Sequence, residues 1–208
     1  MQVRKPKIFK LVLGGVMVAL GTILSMLKVY QLPYGGSITL CSMLPILLYA
    51  YKYGIKWGIG IGFVYSITQL ILDTGVIKGF DLFSSCIIVI LDFVIAFSAL
   101  GISGILKKAI KNTIASFACG AALAMLLRLI SHILSGVVFF GGYAEWYFSQ
   151  EGMNMGEWVL GTFRGNTLMW IYSTVYNSSY MLPEIIITII VGYVIIKTIG
   201  KQLLSEET

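Results

Sequence analysis

Apolar runs of eighteen or more residues recur along this 208-residue chain, and they limit its fold more than any other feature. In a bilayer every backbone N–H and C=O must find a partner within the protein, so such runs fold as helices. Charged residues make up only 12% of the chain and hydrophobic ones 58%. That charge is about half of what a soluble domain carries. The chain therefore reads as one all-α integral membrane domain spanning residues 1–208.

The runs divide into six helices, at about 8–29, 40–51, 55–72, 82–106, 114–140 and 176–199. The second is short and contains Pro45, which predicts a tilt, a kink or a re-entrant path. Residues 30–39 read as a turn-rich loop, because Pro33 and Gly35-Gly36 stop a helix there. Residues 141–169 read as a long polar loop, and Pro183 is expected in the first turns of the last helix. Six crossings put both termini on one side. Arg4, Lys5, Lys7, Lys10, Lys52, Lys56, Lys107, Lys108, Lys111, Lys197 and Lys201 then collect on that side, and Lys78 and Arg164 on the other, with Lys28 at a helix end. This asymmetry predicts cytoplasmic termini.

The net charge of +6 is thus explained by topology, and no basic patch with interleaved aromatics suggests nucleic acid. Cys41, Cys86 and Cys119 show no pairing or ligand spacing. The N-terminal apolar run has no convincing cleavage site and reads as a retained helix. On that helix Gly15 and Ala19 are four apart, a spacing that admits a closely packed neighbour, inside the chain or from a partner.

Three ionisable groups lie deepest in the apolar runs: Asp92, Arg128 and His132. An unpaired aspartate at mid-membrane costs about 2.5–3.5 kcal/mol, so Asp92 needs a partner or a wet pocket. Arg128 and His132 share a helix face at i, i+4, continued by Gly136 and Phe140. Asp92 and Arg128 are each about fifteen residues from the cytoplasmic ends of their helices, hence at similar height. An Asp92–Arg128 bridge is expected, either as scaffolding or as part of an outward-facing pocket. Tyr65, Phe140, Tyr143, Trp146, Tyr172, Tyr176 and Asn177 are candidates for its rim. Aromatic faces with one acid suit a flat, cationic, nitrogen-rich ligand.

Catalytic patterns are absent from the sequence. Ser131 and His132 are adjacent, so on a helix their side chains diverge, and no nucleophile elbow, zinc-protease or P-loop motif is present. A lone histidine does not suggest a metal site. An intramembrane enzyme using Asp92 and His132 as acid and base stays open as the rival class. Any active transport needs a separate energising partner.

Four stretches carry a further signal: YGGSITLCSMLPILLYAYKYG (34–54), ILDFVIAFSALGISGIL (90–106), RLISHILSGVVFFGGYAEW (128–146) and YSTVYNSSYMLPEIIITIIVG (172–192). They resemble the thiamine-specific S-components of energy-coupling factor (ECF) transporters. The resemblance implies a six-helix bundle in a prokaryotic plasma membrane that binds thiamine in an outward-facing pocket. It also implies docking to a transmembrane coupling protein and two ABC ATPases, which use the ATP, with no cofactor or catalytic residue in this chain. Another pyrimidine-containing vitamin or a thiamine precursor is the alternative ligand. By the same resemblance Asp92, Arg128, His132, Gly136, Phe140, Tyr65, Tyr172 and Asn177 line the site, and Gly15 and Ala19 form the docking face. Phe140 and Tyr65 stand where tryptophan can occur in the family, and residues 151–169 exceed the usual loop.

Overall fold

The structure is a computed structural model that describes residues 7–32 and 36–204, apart from the side chains of Lys201 and Leu204. The expectations for Arg4, Lys5, Pro33, Gly35 and the Lys201 side chain fall outside those residues.

The first apolar run forms α1 (Lys7–Met26). It stops short of residue 29 because the chain turns into strand β1 (Lys28–Gln31), which pairs antiparallel with β2 (Ser37–Thr39). The all-α expectation is corrected here. The β-branched and aromatic residues of KVYQ and SIT pair as adjacent strands once a surface supports them. Helix α2 (Leu44–Tyr53) begins four residues later than expected, with Pro45 in its first turn, where a missing N–H costs nothing. Residues 44–51 are buried on every side. Helix α3 (Ile55–Leu72) matches its expected span.

Helix α4 (Leu82–Ile102) is one helical column with a π-helical stretch at Val89–Ile95 and a 3₁₀ end, and the residues beyond it form turns rather than more helix. Helix α5 (Thr113–Phe140) lies where expected. The segment after it is not a structureless loop. It carries α6 (Ala144–Phe148) and α7 (Gly156–Thr162), which bury Phe148 and Val159.

Helix α8 (Gly165–Leu204) starts about ten residues before the expected boundary, so Pro183 sits in its interior. The polar run YSTVYNSSY stays helical because its groups are satisfied inside the protein. Ser173 Oγ donates to the Ile133 carbonyl, Asn177 Nδ2 to the Ser173 carbonyl and Ser179 Oγ to the Tyr176 carbonyl.

Among the described residues, five helices are long and apolar enough to cross a membrane: α1, α3, α4, α5 and α8. The ten-residue α2 is the exception. It still joins the two ends of the bundle. Its N-terminal end borders Arg128 and Tyr65, through Met43 and Ser42. Near its C-terminal end Tyr49 donates to the Lys10 carbonyl, and Lys52 reaches the Leu203 carbonyl. Both ends of the described chain therefore lie at the same end of the bundle, called the base below. Here α3 and α4 meet backbone to backbone. A Cβ on Gly101 would fall 2.2 Å from the Ile59 nitrogen and 2.4 Å from the Gly58 carbonyl carbon.

Candidate ligand-binding site

At the end opposite the base, a cavity of about 770 Å³ opens between the hairpin, α3, α4, α5 and α8. Its size suits a small-molecule ligand. The π stretch of α4 builds one wall. Asp92 and Phe97, five residues apart as in one π turn, both line the cavity, with Phe93 beside them. The Leu91 carbonyl, which accepts the Ala96 N–H across the π turn, also accepts from Ser131 Oγ at 2.6 Å.

Helix α5 supplies the facing wall. His132 Nδ1 lies 2.9 Å from Asp92 Oδ1, and Ser135 Oγ donates to Asp92 Oδ2 at 2.6 Å. Arg128 Nε donates to His132 Nε2 at 3.2 Å. A ring that accepts at Nε2 carries its proton on Nδ1, so the imidazole is neutral and donates to Asp92. The expected direct Asp92–Arg128 bridge is therefore corrected: among the described residues the aspartate pairs with His132, which stands between the two. The reason is reach. His132, one turn beyond Arg128, is level with Asp92, while the guanidinium lies over the Phe97 ring, 4.2 Å from its centre, with Nη1 toward the Met43 thioether.

Helix α8 closes the third side with Tyr172, Tyr176, Asn177 and Tyr180, all buried. Asn177 Oδ1 accepts from Tyr180 at 2.8 Å, and its Nδ2 reaches the Ser173 carbonyl at 2.9 Å. Gly136 is what lets α8 approach, since a Cβ there would meet Ser173 Oγ at 2.2 Å and Asn177 Nδ2 at 3.2 Å. Strand β2 lies along α8. The Tyr176 hydroxyl accepts from Gly36 N at 3.2 Å, and Glu184 accepts twice from Thr39, from its N and its Oγ1, each at 2.6 Å.

The structure thus brings together Asp92, Arg128, His132, Gly136, Phe140, Tyr172 and Asn177, with Tyr143 and Tyr176 also on the lining. Two rim candidates do not join them. Tyr65 is fully buried beneath the cavity, its hydroxyl near the Gly21 and Ser42 carbonyls, because its face of α3 points at α1 and the α2 entry turn. Trp146 lies on a separate shallow depression with Glu145 and Arg164. Gly15 and Ala19 are exposed, and a Cβ on Gly15 would touch nothing, while Gly14, Val18, Gly21 and Ser25 form the inward face of α1.

Sequence reasoning missed Ser135 and Glu184. Ser135 sits at i+3 from His132, a spacing that places it on the same face. Glu184 is an acid inside an apolar run, the signal that singled out Asp92. The expectation of Pro183 in the first turns of the last helix hides this signal, because it sets Glu184 near the aqueous boundary.

The family model for the thiamine transporter protein matches residues 11–157, from α1 into α7 and across the Asp92, Arg128, His132 and Phe140 walls. The chain belongs to this family. Among curated relatives, the thiamine transporter ThiT of Bacillus subtilis (strain 168) is 30% identical over 187 residues, covering 85% of this chain and 83% of that protein. ThiT of Lacticaseibacillus paracasei is 29% identical over 170 residues, covering 77% and 73%. The solved structure of ThiT from Listeria monocytogenes superposes with a TM-score of 0.69 over 96% of this chain and 99% of that one, at 20% identity, which establishes the shared fold. The family is one of transporters, so the acid–base reading of Asp92 and His132 as an intramembrane enzyme falls away. With its long apolar helices this family member is a multi-pass membrane protein.

Proposed function

We propose that the chain is the thiamine-binding subunit of an ECF-type uptake transporter in a prokaryotic plasma membrane. One observation carries this reading: the Arg128–His132–Asp92 chain and the tyrosines of α8 converge on one cavity at a single end of the bundle. The aromatic walls stack against flat rings, and the acidic lining suits a ligand with a positive thiazolium. Asn177 offers an amide to the aminopyrimidine. The relatives named thiamine transporter support the ligand.

In this reading α2 is a short sixth crossing, which leaves both termini cytoplasmic. The lysines of the base then satisfy the positive-inside rule. The cavity faces outward. Two ABC ATPases supply energy through a transmembrane coupling protein, which docks on the exposed Gly15–Ala19 face of α1.

Equilibrium dialysis of labelled thiamine against the detergent-purified chain tests the ligand directly. This suits the site, because no tryptophan is among its described lining residues to report binding by fluorescence. Saturable binding that unlabelled thiamine displaces is expected, and its absence would refute the reading. Stronger displacement by a precursor pyrimidine would reassign the ligand. Replacing Gly15 and Ala19 together by leucine is expected to abolish most cellular uptake while binding stays unchanged. Equal loss of both would remove α1 as the docking face.

A further inference from the structure

The charges of the inner cavity wall do not balance. Asp92 and Glu184 both reach the lining from buried positions, Glu184 at 3% exposure. Among the described basic residues of the lining, Lys28 and Lys78 are exposed at the mouth with Asp73, where water and salt screen them. Only Arg128 is inside. It is already engaged with the Asp92 side, because Arg128 Nε donates to His132, whose Nδ1–H meets Asp92. The neutral imidazole relays that contact and adds no charge of its own.

Glu184 has no cationic hydrogen-bond partner among the described residues, and Arg128 acts on it only across space. Its hydrogen bonds from Thr39 come from a backbone N–H and a hydroxyl, both neutral, and both oxygens accept. Such donors fix the carboxylate in place without cancelling its charge. Two buried acids against one buried cation leave one negative charge in the wall. A net charge inside an apolar span is costly, and a ligand of opposite sign relieves that cost.

We propose that Glu184 is a specificity-determining residue of this cavity: its fixed carboxylate, one of two buried acids that share a single buried cation, selects ligands that carry one positive charge. The inference rests on the thiamine reading above and deepens it. Asp92 and His132 hold the ligand's polar groups, and Glu184 sets the preference for a cationic over a neutral ring. Strand β2 serves this by locking the carboxylate through Thr39.

Two probes of matched shape test it on the purified full chain: thiamine, and an analogue with a neutral thiophene in place of the thiazolium. The measured quantity is the ratio of their affinities. The wild type favours thiamine. Glu184→Gln is expected to lower thiamine affinity about tenfold or more and to leave the analogue nearly unchanged, so that the ratio collapses. Glu184→Asp keeps the charge and keeps the preference. Thr39→Val removes one tie to the carboxylate but not its charge, and the preference stays. Equal loss for both probes in Glu184→Gln overturns the proposal, as does a collapsed ratio in Thr39→Val. Should Glu184→Gln not fold, the other two variants decide: preference kept in both supports the proposal, and preference lost in either sinks it. A wild type that binds neither probe fails the thiamine reading itself, a result distinct from a changed ratio.

Discussion

The two ends of the bundle are held together in different ways. At the base, helices touch backbone to backbone around α2, whose buried residues join one apolar cluster with Phe97, Leu100 and Phe117. At the cavity end, a second cluster is built from tyrosines, with Tyr172, Tyr176 and Tyr180 along α8 packed on Phe148 and Leu129. The base leaves little room for substitution. The cavity end spends its packing on holding polar groups around an open space. Close backbone packing is therefore concentrated at one end and the polar cavity at the other.

The sharpest way to break this contrast is at Gly101. An alanine there drives its Cβ into the α3 backbone, which has no side chain to swing aside. Gly101→Ala is expected to cost about 3 kcal/mol, the upper part of the range for overpacking. Thermal unfolding in detergent reads this directly, and the protein that remains folded should bind ligand as the wild type does. A lost affinity at unchanged stability would mean that the base also shapes the site.

Next in size is Asp92→Asn at the cavity end. The amide cannot accept from both His132 and Ser135 as the carboxylate does. Thiamine affinity should fall about tenfold or more, equivalent to about 1.4 kcal/mol, with a smaller change in thermal stability than at Gly101. Normal binding by this variant would make Asp92 a structural residue and erase the distinction between the two ends.

The smallest expected effect concerns pH. Helix α4 starts at the cavity end with Asp81, whose Oδ1 accepts from Phe83 N and Ser84 N. Helix α5 starts at the base with Asn112, which accepts from Ala115 N and does not titrate. Hydrogen bonding, first from the Ser84 side chain and then from backbone N–H groups, holds the Asp81 carboxyl below the usual range. A depressed carboxylate pKa contributes stability above its unfolded value of about 3.9, and the contribution is lost as pH falls through the folded value. The wild type should therefore lose thermal stability more steeply than Asp81→Asn below about pH 4. Parallel slopes would show that the cap adds nothing.

Local pattern made part of this molecule legible. The i, i+4 spacing of Arg128, His132, Gly136 and Phe140 fixed one wall of the site before any packing was known, since helix periodicity alone puts those residues on one face. The cost of a buried acid marked Asp92. The same signal is hidden at Glu184 because Pro183 points to the first turns of the last helix, whereas the surrounding Ser and Asn side chains satisfy their own groups and let α8 begin at Gly165. Local pattern failed at Tyr65 because an aromatic in a glycine-rich helix has several faces to choose from. The choice fell to the carbonyls of Gly21 and Ser42. The hairpin was hidden because its strands, four and three residues long, are too short to show an alternating pattern.

The sequence by itself determined that this is a helical membrane protein with most of its lysines in segments at one end and a polar stripe on α5. Those properties depend on residue type and on spacing within single helices. Only the tertiary structure decided that Asp92 meets His132 rather than Arg128, that Ser135 completes the acid's shell, and that Glu184 clasps a strand 145 residues away. Such pairings depend on how closely backbones approach and how a π turn rotates a helix face. Gly136, Gly101 and the Val89–Ile95 stretch set both, by removing a Cβ or adding a residue to a turn.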